Sequence, residues 1–337
     1  MSFITNNIKL AISYIKQGKI VAIPTETVYG LTTNIYNVKS IKKIFFIKKR
    51  PFNYPLIIHI NKNWNIKQWI SFVPQYVYTL TKNFWPGPLT LVMKAKPNIH
   101  INPLIISHTN TIALRCSSHP ILYSILKKLK IPLVITSANT FGKISPTTAK
   151  HTQEYLKNEN ILILNGNRCS IGIESTVIDA TKKNKLNILR LGAINSESIK
   201  NILLKTKKIN NFYQKKQKKH ITIHSNQFNK NYLFNKPLYF FKNIDTIKNF
   251  YKKNQMSIYI LAFSNIKLVP QTSLFYKFSN KIKQSTFEFY FQLWKAEKSI
   301  AKIIAIEMPP NTTQWEAIKD RIKKISVPIE SINQYTH

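Results

Sequence analysis

Three of the five arginines in this 337-residue chain, Arg50, Arg115 and Arg190, stand at strand ends or turns beside small polar residues, in "KKRP", "TIALRCSSHP" and "LRLGAI". Lysine outnumbers arginine about nine to one, so a retained arginine points to a need for the planar fork rather than for charge alone. That fork pairs bidentately with carboxylate or phosphate. Arg168 and Arg321 lack the setting and are expected on the surface. Lys48 and Arg50 fall where a helix ends, ahead of Pro51, Pro55 and a strand carrying His59. Cations there also have a plain structural reading, as complements to a helix C-terminus. His59 lies among isoleucines and could be a satisfied core residue. The alternation of a strand nevertheless puts His59 with Ile57, opposite Ile58 and Ile60.

Hydroxyl groups cluster in three stretches. "AIPTETVYGLTT" follows a strand and contains Thr27. "ITSANTFGKISPTTA" runs from a strand end at Ile135 through Ser137 and Asn139 to Ser145, where a helix is expected to start behind Pro146. "GIESTVIDA" puts Ser175 and Thr176 at a strand start. Helix N-termini with free N–H groups suit anions, although an ordinary turn with an N-cap reads the same way. Neither GxxxxGK[ST] nor GxGxxG occurs. No Ser-His-Asp order or paired carboxylate stands out. Cys116 and Cys169 have no CxxC or zinc-like spacing, which fits free thiols in a reducing compartment.

The elements that must carry these groups alternate between strand and helix. "KIVAIP", "LIIHI", "LTLVMK", "IALRC", "LVIT", "ILIL", "STVIDA" and "LNILRL" read as strands, and Val38–Lys48 and Ile121–Leu129 as helices. The opening "MSFITNNIKLAISYIKQGK" reads as an amphipathic helix and lacks the marks of a signal peptide. With no apolar stretch of spanning length, a cytoplasmic protein and no membrane partner are expected. All seven glycines lie in the first 192 residues, so tight backbone geometry is N-terminal. "KTKKINNFYQKKQKKH", from Lys205 to His220, carries seven lysines and no acid and reads as a solvated linker. Beyond it the pattern is βαβαβα, from "PLYFF" through "SIYILAF" to "KIIAIE". The expected domains are 1–204, a linker 205–235, and a smaller parallel-sheet domain 236–337. The formal charge of +38, from 51 basic against 13 acidic residues, favours anionic partners, though a lysine-rich composition throughout accounts for it equally well.

The ordered set "IPTETVYGL", "KKRP…PLIIHI", "WPGPLTLVMK", "IALRCSSHP", "ITSAN", "SPTTA", "GIESTVIDA" and "LRLGAI" closely resembles the YrdC-like threonylcarbamoyl-AMP synthases. The match covers residues 4–203, and "STFEFYFQLWKAEKSIAKIIAIEMPP" resembles the C-terminal domain of the long form. The resemblance implies a YrdC-like twisted mixed α/β sheet with helices, plus a smaller Rossmann-like βαβ domain. It implies that L-threonine, bicarbonate or CO2, and ATP are joined into threonylcarbamoyl-adenylate with release of pyrophosphate. Mg2+ would ride on the ATP. The product would pass to a threonylcarbamoyl-transferase complex that modifies tRNA beside the anticodon.

By the same resemblance, Thr27, His59, Arg115, Ile135 and Ser175 would contact threonine. Lys48, Arg50, Tyr54, Thr111, Ser137, Asn139, Ser145, Arg190 and Tyr232 would hold ATP, with Lys48 and Arg50 on the phosphates where the reaction occurs. Two departures stand out. Tyr54 occupies the position before Pro55 where the family carries Asn, and the linker "HSNQFNKNYLFNKPL" keeps only Ser225 and Tyr232 of the family's gating stretch. The alternative reading is an RNA-binding module of the same fold whose catalysis has decayed, since the basic charge gives affinity for RNA at low salt.

Overall fold

The computed structural model describes residues 1–106, 110–205, 211–213, 234–254, 256–266 and 273–334. Contacts divide the chain into two compact units, Met1–Phe141 with Ser145–Ser225, and Gly142–Ile144 with Asn226–His337. The basic stretch 205–235 falls largely outside the described residues, as do Ser225 and Tyr232.

The first unit is built on strands β1 (Phe3–Thr5), β2 (Val21–Ile23), β3 (Gly30–Asn34), β4 (Ile57–His59), β5 (Leu89–Lys94), β6 (Thr111–Arg115), β7 (Leu133–Ser137), β8 (Leu162–Leu164), β9 (Thr176–Asp179), β10 (Lys185–Arg190) and β11 (Asn211–Tyr213). Among the described residues they form one mixed sheet, ordered β1-β8-β2-β3-β7-β4-β6-β5-β9-β10-β11. Its helices are α1 (Ile8–Lys16), α2 (Val38–Lys48), α3 (Gln75–Phe84), α4 (Pro120–Leu129), α5 (Ala149–Leu156) and α6 (Ser196–Lys205).

The two faces of this sheet are covered unequally. Ile58, Leu91, Leu114, Val134 and Ile178 pack on one face with Ile41 and Phe45 of α2, Tyr76 and Leu80 of α3, and Ile199 and Leu203 of α6. Each such fully buried side chain contributes roughly 1.5–3 kcal/mol of transfer free energy. On the opposite face α1 and α4 cover β2, β8 and β7 through Ala11, Ile15, Leu122 and Leu126. Over β4, β6, β5 and β9 that face carries, among the described residues, a small apolar cluster of Val92, Ala113 and Val177 with Ile57 and Leu189.

The N-terminal stretch corrects the reading of the whole opening "MSFITNNIKLAISYIKQGK" as a helix. Phe3–Thr5 pairs in parallel with Leu162–Leu164, and the helix starts only after Asn7, whose side chain accepts the Leu10 N–H at 3.0 Å. A three-residue strand has too few positions to show a period of its own. The α5 start also moves. Its N-cap is Thr148, whose Oγ1 accepts the His151 N–H at 3.1 Å, rather than Ser145.

The second unit is an all-parallel sheet of β12 (Leu238–Phe241), β13 (Ile258–Ala262), β14 (Leu274–Lys277), β15 (Ile303–Glu307) and β16 (Val327–Pro328), ordered β14-β13-β15-β12-β16. Helices α7 (Ile244–Asn254), α8 (Ile282–Lys298) and α9 (Glu316–Ile325) connect them. The three strands legible in the sequence are the central ones. β14 and β16 lie at the edges, and β14 leaves Leu274 and Phe275 exposed, so burial imposes no pattern there. Arg321 is not on the surface: it is 2% exposed, donates from Nε to Tyr290 Oη at 3.2 Å and from Nη1 to the Ala317 carbonyl at 2.9 Å.

Candidate active site

The sheet face over β4, β6, β5 and β9 is the floor of a cleft whose cavity volume is about 90 Å³. Register builds that floor in rows. Arg115 of β6 stands beside His59 of β4 on one side and Thr90 of β5 on the other. One step along, Ala113 stands between Ile57 and Val92, and Ile57 also faces Ile135 of β7. The alternation read from "PLIIHI" therefore holds: His59 and Ile57 face the cleft, whereas Ile58 and Ile60 enter the core.

The wall above β3 is the loop Pro24–Tyr29. The Thr25 hydroxyl organises it by accepting the N–H groups of Thr27 and Val28, each at 3.1 Å, and donating to the Val28 carbonyl at 2.7 Å. This turn delivers Thr27 to the cleft and Glu26 to a buried position behind it. Gly30, at the start of β3, has no room for a side chain, since a Cβ would lie 2.3 Å from Ile135 Cγ2.

Arg50 reaches the cleft because α2 stops sharply. Lys49 takes the left-handed conformation at φ 50°, and the Lys49 and Arg50 N–H groups both close on the last turn. Arg50 then donates from Nε to the Tyr54 carbonyl at 3.1 Å and from Nη2 to the Pro55 carbonyl at 3.0 Å. Its guanidinium also sits 5.6 Å from the Tyr54 ring and 5.7 Å from that of Phe141. Burial, and after it the neighbouring Arg190, push Arg50 down to about 10 from its usual value.

A bulge re-aims Arg190. The β9–β10 pairing runs Ile188 to Ile178 and then Arg190 to Val177, so Leu189 is the extra residue. Ile188 and Ile178 enter the core, while Val177 and Arg190 turn to the cleft. There Arg190 donates to the Ser175 carbonyl at 3.0 Å and hydroxyl at 2.9 Å, and the Ser175 hydroxyl also meets that of Thr90 at 2.8 Å. Gly192 lets this turn close, because a Cβ would fall 2.3 Å from the Ser175 carbonyl carbon.

The cleft lining sets Arg50, Arg115 and Arg190 against Glu174, and Arg115 is paired with a carboxylate behind the lining. Arg115 Nη2 donates to Glu26 Oε1 at 2.7 Å and to Thr27 Oγ1 at 3.0 Å, and the Ser117 hydroxyl donates to Glu26 Oε2. Burial alone would raise the Glu26 pKa. The Arg115 charge and these hydrogen bonds outweigh it and hold the carboxyl below its usual range. Burial and the Arg115 charge push His59 well below 6.5, so its imidazole is neutral at pH 7. Among the described residues, neither His59 nitrogen has a hydrogen-bond partner, and neither does Arg115 Nε.

Of the residues singled out from the sequence, Thr27, Arg50, His59, Thr111, Arg115, Ile135, Ser137, Ser175 and Arg190 line the cleft. Tyr54 flanks it through Arg50, and Tyr232 lies outside the described residues. Lys48 does not line it. Its side chain is buried and donates to the carbonyls of Ser137 and Asn139, at 2.6 Å for the latter, and its own carbonyl accepts from the Phe141 N–H at 2.7 Å. Lys48 thus braces the turn 137–141 from beneath. Burial, then Arg50, lowers its pKa well below the usual lysine value. Asn139 is buried in that turn, its amide donating to the Thr140 carbonyl at 2.8 Å. Ser145 donates to Glu174 Oε1 at 2.8 Å, behind the cleft wall to which Glu174 belongs. Sequence reasoning passed over Thr90 and gave Glu26 and Glu174, two of the few acids near the motifs, no binding role. The alternation in "LTLVMK" marks Thr90, which shares a face with Val92 opposite the buried Leu89, Leu91 and Met93.

Comparison with known proteins places this geometry. A family model for Sua5, YciO and YrdC, described as "Telomere recombination", matches residues 13–192. A second, described as the C-terminal domain of threonylcarbamoyl-AMP synthase, matches residues 194–326. A threonylcarbamoyl-AMP synthase of Pyrococcus abyssi is 39% identical over 197 residues, 58% of this chain and 57% of the relative. That of Bacillus subtilis is 36% identical over 193 residues, 57% of this chain and 55% of the relative. The aligned region thus spans little more than half of either relative. A solved structure of a doubly substituted P. abyssi Sua5 matches with a TM-score of 0.82 at 25% identity, covering 97% of both chains. A structure of P. abyssi Sua5 complexed with L-threonine has the same TM-score at 24% identity, over 97% of this chain and 99% of the other, and shares the fold.

Proposed function

Because this chain belongs to the Sua5–YciO–YrdC family, we propose that it is a threonylcarbamoyl-AMP synthase, a nucleotidyltransferase that joins L-threonine, bicarbonate or CO2, and ATP. The observation that carries this reading is the convergence of Arg50, Arg115 and Arg190 with Thr27, His59 and Ser175 on one cleft. Two anionic small molecules need such a set: planar cations for carboxylate and phosphate, and hydroxyls to orient them.

In the reaction the threonine amine, once deprotonated, attacks CO2 and gives a carbamate. A carbamate oxygen then attacks the α-phosphorus of ATP in line, and pyrophosphate leaves. The row His59, Arg115 and Thr90, with Thr27 above it, is the threonine end; Ile135 and Ser175 border it. Arg50 and Arg190 face the triphosphate, with Thr111 and Ser137 beside them. Lys48 serves this end by holding the Ser137–Asn139 turn in place, and Tyr54 by flanking Arg50. Catalysis is then chiefly positioning and charge compensation, with little covalent chemistry for the protein to do. Mg2+ would be held mainly by the nucleotide, and Glu174, among the described residues the carboxylate of the cleft lining, is the protein group that would help hold it and offset phosphate charge.

The product would feed a threonylcarbamoyl-transferase complex acting on tRNA in the cytoplasm. Residues 1–204 and 236–337 would be the catalytic and accessory domains, joined by the basic linker 205–235. An RNA-binding role fits the cleft less well. Its arginines are buried or half-buried, whereas RNA binders present cations to the solvent along a groove. The purified protein should consume ATP only with threonine and bicarbonate both present, giving an AMP adduct and pyrophosphate in equal amounts. ATP turnover indifferent to threonine would end the proposal.

A further inference from the structure

Glu26 and Arg115 come from segments 89 residues apart and meet as a pair in which both side chains are about 95% buried. Such pairs are rarely kept for stability, because desolvating two charges offsets most of their attraction. Their geometry suggests another duty. Both bonds from Arg115 to the loop, to Glu26 and to Thr27, leave through Nη2, and among the described residues Nε has no partner. Ser117 holds the second oxygen of Glu26, so the carboxylate is fixed at both ends. The guanidinium is therefore clamped along one edge, in the same strand row as the unpaired imidazole of His59 and the hydroxyl of Thr90.

We propose that Glu26 is a positioning residue for threonine recognition, which clamps the Arg115 guanidinium by Nη2 so that its remaining donors meet the carboxylate of the amino acid. Ser117 sets the rotamer of Glu26 and so acts at one remove. The inference rests on the threonine-binding reading above. It extends that reading to two residues that do not themselves line the cleft.

The test measures threonine and a non-hydrolysable ATP analogue separately by calorimetry, with the full-length protein, Glu26→Gln, Glu26→Asp and Ser117→Ala. Glu26→Gln keeps the shape but removes the charge that anchors Arg115. It should raise the threonine Kd at least about 10-fold while changing the ATP-analogue Kd less than about 2-fold. Glu26→Asp, which keeps the charge, should recover part of the loss, and Ser117→Ala should weaken threonine by about 3-fold. If Glu26→Gln does not fold, Ser117→Ala decides, since it deletes a single hydroxyl. Unchanged threonine affinity in the folded variants, or equal weakening of both ligands, overturns the inference. Wild-type protein that fails to bind threonine overturns the functional reading instead.

Discussion

Two buried arginines set the two units of this molecule apart. Arg321 in the C-terminal unit is 2% exposed and Arg115 in the cleft unit is 4% exposed. Arg321 spends its donors on Tyr290 and on the Ala317 carbonyl of its own helix, so it stitches α9 to α8. Arg115 is clamped along one edge by Glu26 and Thr27, and among the described residues its Nε has no partner. Burial is therefore no guide to role. What separates a stitch from a site is where the donors go, because a buried donor left unpaired carries a desolvation cost that a ligand can relieve.

Substitutions at the two arginines should separate the units most widely. On the proposed reading, Arg115→Ala removes a charge-assisted pair with the substrate carboxylate, a loss of about 1.5–3 kcal/mol, which equilibrium binding should read as threonine affinity roughly 10- to 150-fold weaker. Unaltered threonine binding would erase the distinction. Arg321→Met should leave threonine and ATP affinity unchanged but lower stability by about 2 kcal/mol, measured by urea unfolding, since it deletes the bonds to Tyr290 and the α9 backbone.

Acid should reach the cleft unit through a buried neutral imidazole. His59 has a folded pKa well below 6.5, so below pH 6.5 the unfolded chain binds the proton that the folded site refuses. Stability is thus present above pH 6.5 and is lost as pH falls toward the folded pKa, by at most about 1.4 kcal/mol per pH unit for this one group. His119, also depressed by burial, adds to the same leg, and Glu26 adds a further loss below about pH 4.5. His59→Asn should flatten the fall between pH 7 and about 5.5 without removing it. An unchanged slope would show that His59 does not titrate as a buried group.

The smallest effect concerns the aromatic frame of Arg50. Tyr54→Leu removes one of its two ring contacts, worth about 0.5–1 kcal/mol at a partly exposed site. It should weaken the ATP analogue by no more than about 5-fold and leave threonine unaffected.

Much of the cleft was legible before folding. The alternation in "PLIIHI" put His59 on the open face, and the scarcity of arginine drew attention to Arg50, Arg115 and Arg190, all of which line one cavity. Local signals failed where a residue's environment is supplied by distant chain. Lys48 read as a cation aimed at phosphate, yet it lies under the 137–141 turn because β7 passes close to the end of α2. Arg321 read as a surface residue because nothing within its own helix announces Tyr290, 31 positions earlier. The bulge at Leu189 is equally silent, since one extra residue in a strand leaves no mark in composition.

By itself, the sequence determined which side chains share a face, where helices stop and which hydroxyls open strands, because periods of two and of 3.6 residues and the φ preferences of proline and glycine are local properties. The tertiary structure decided which charges meet. It seated Glu26 against Arg115 across 89 residues and turned Arg190 inward by a bulge. Contact between segments far apart in the chain depends on sheet order and register, and those follow from the packing of the whole core.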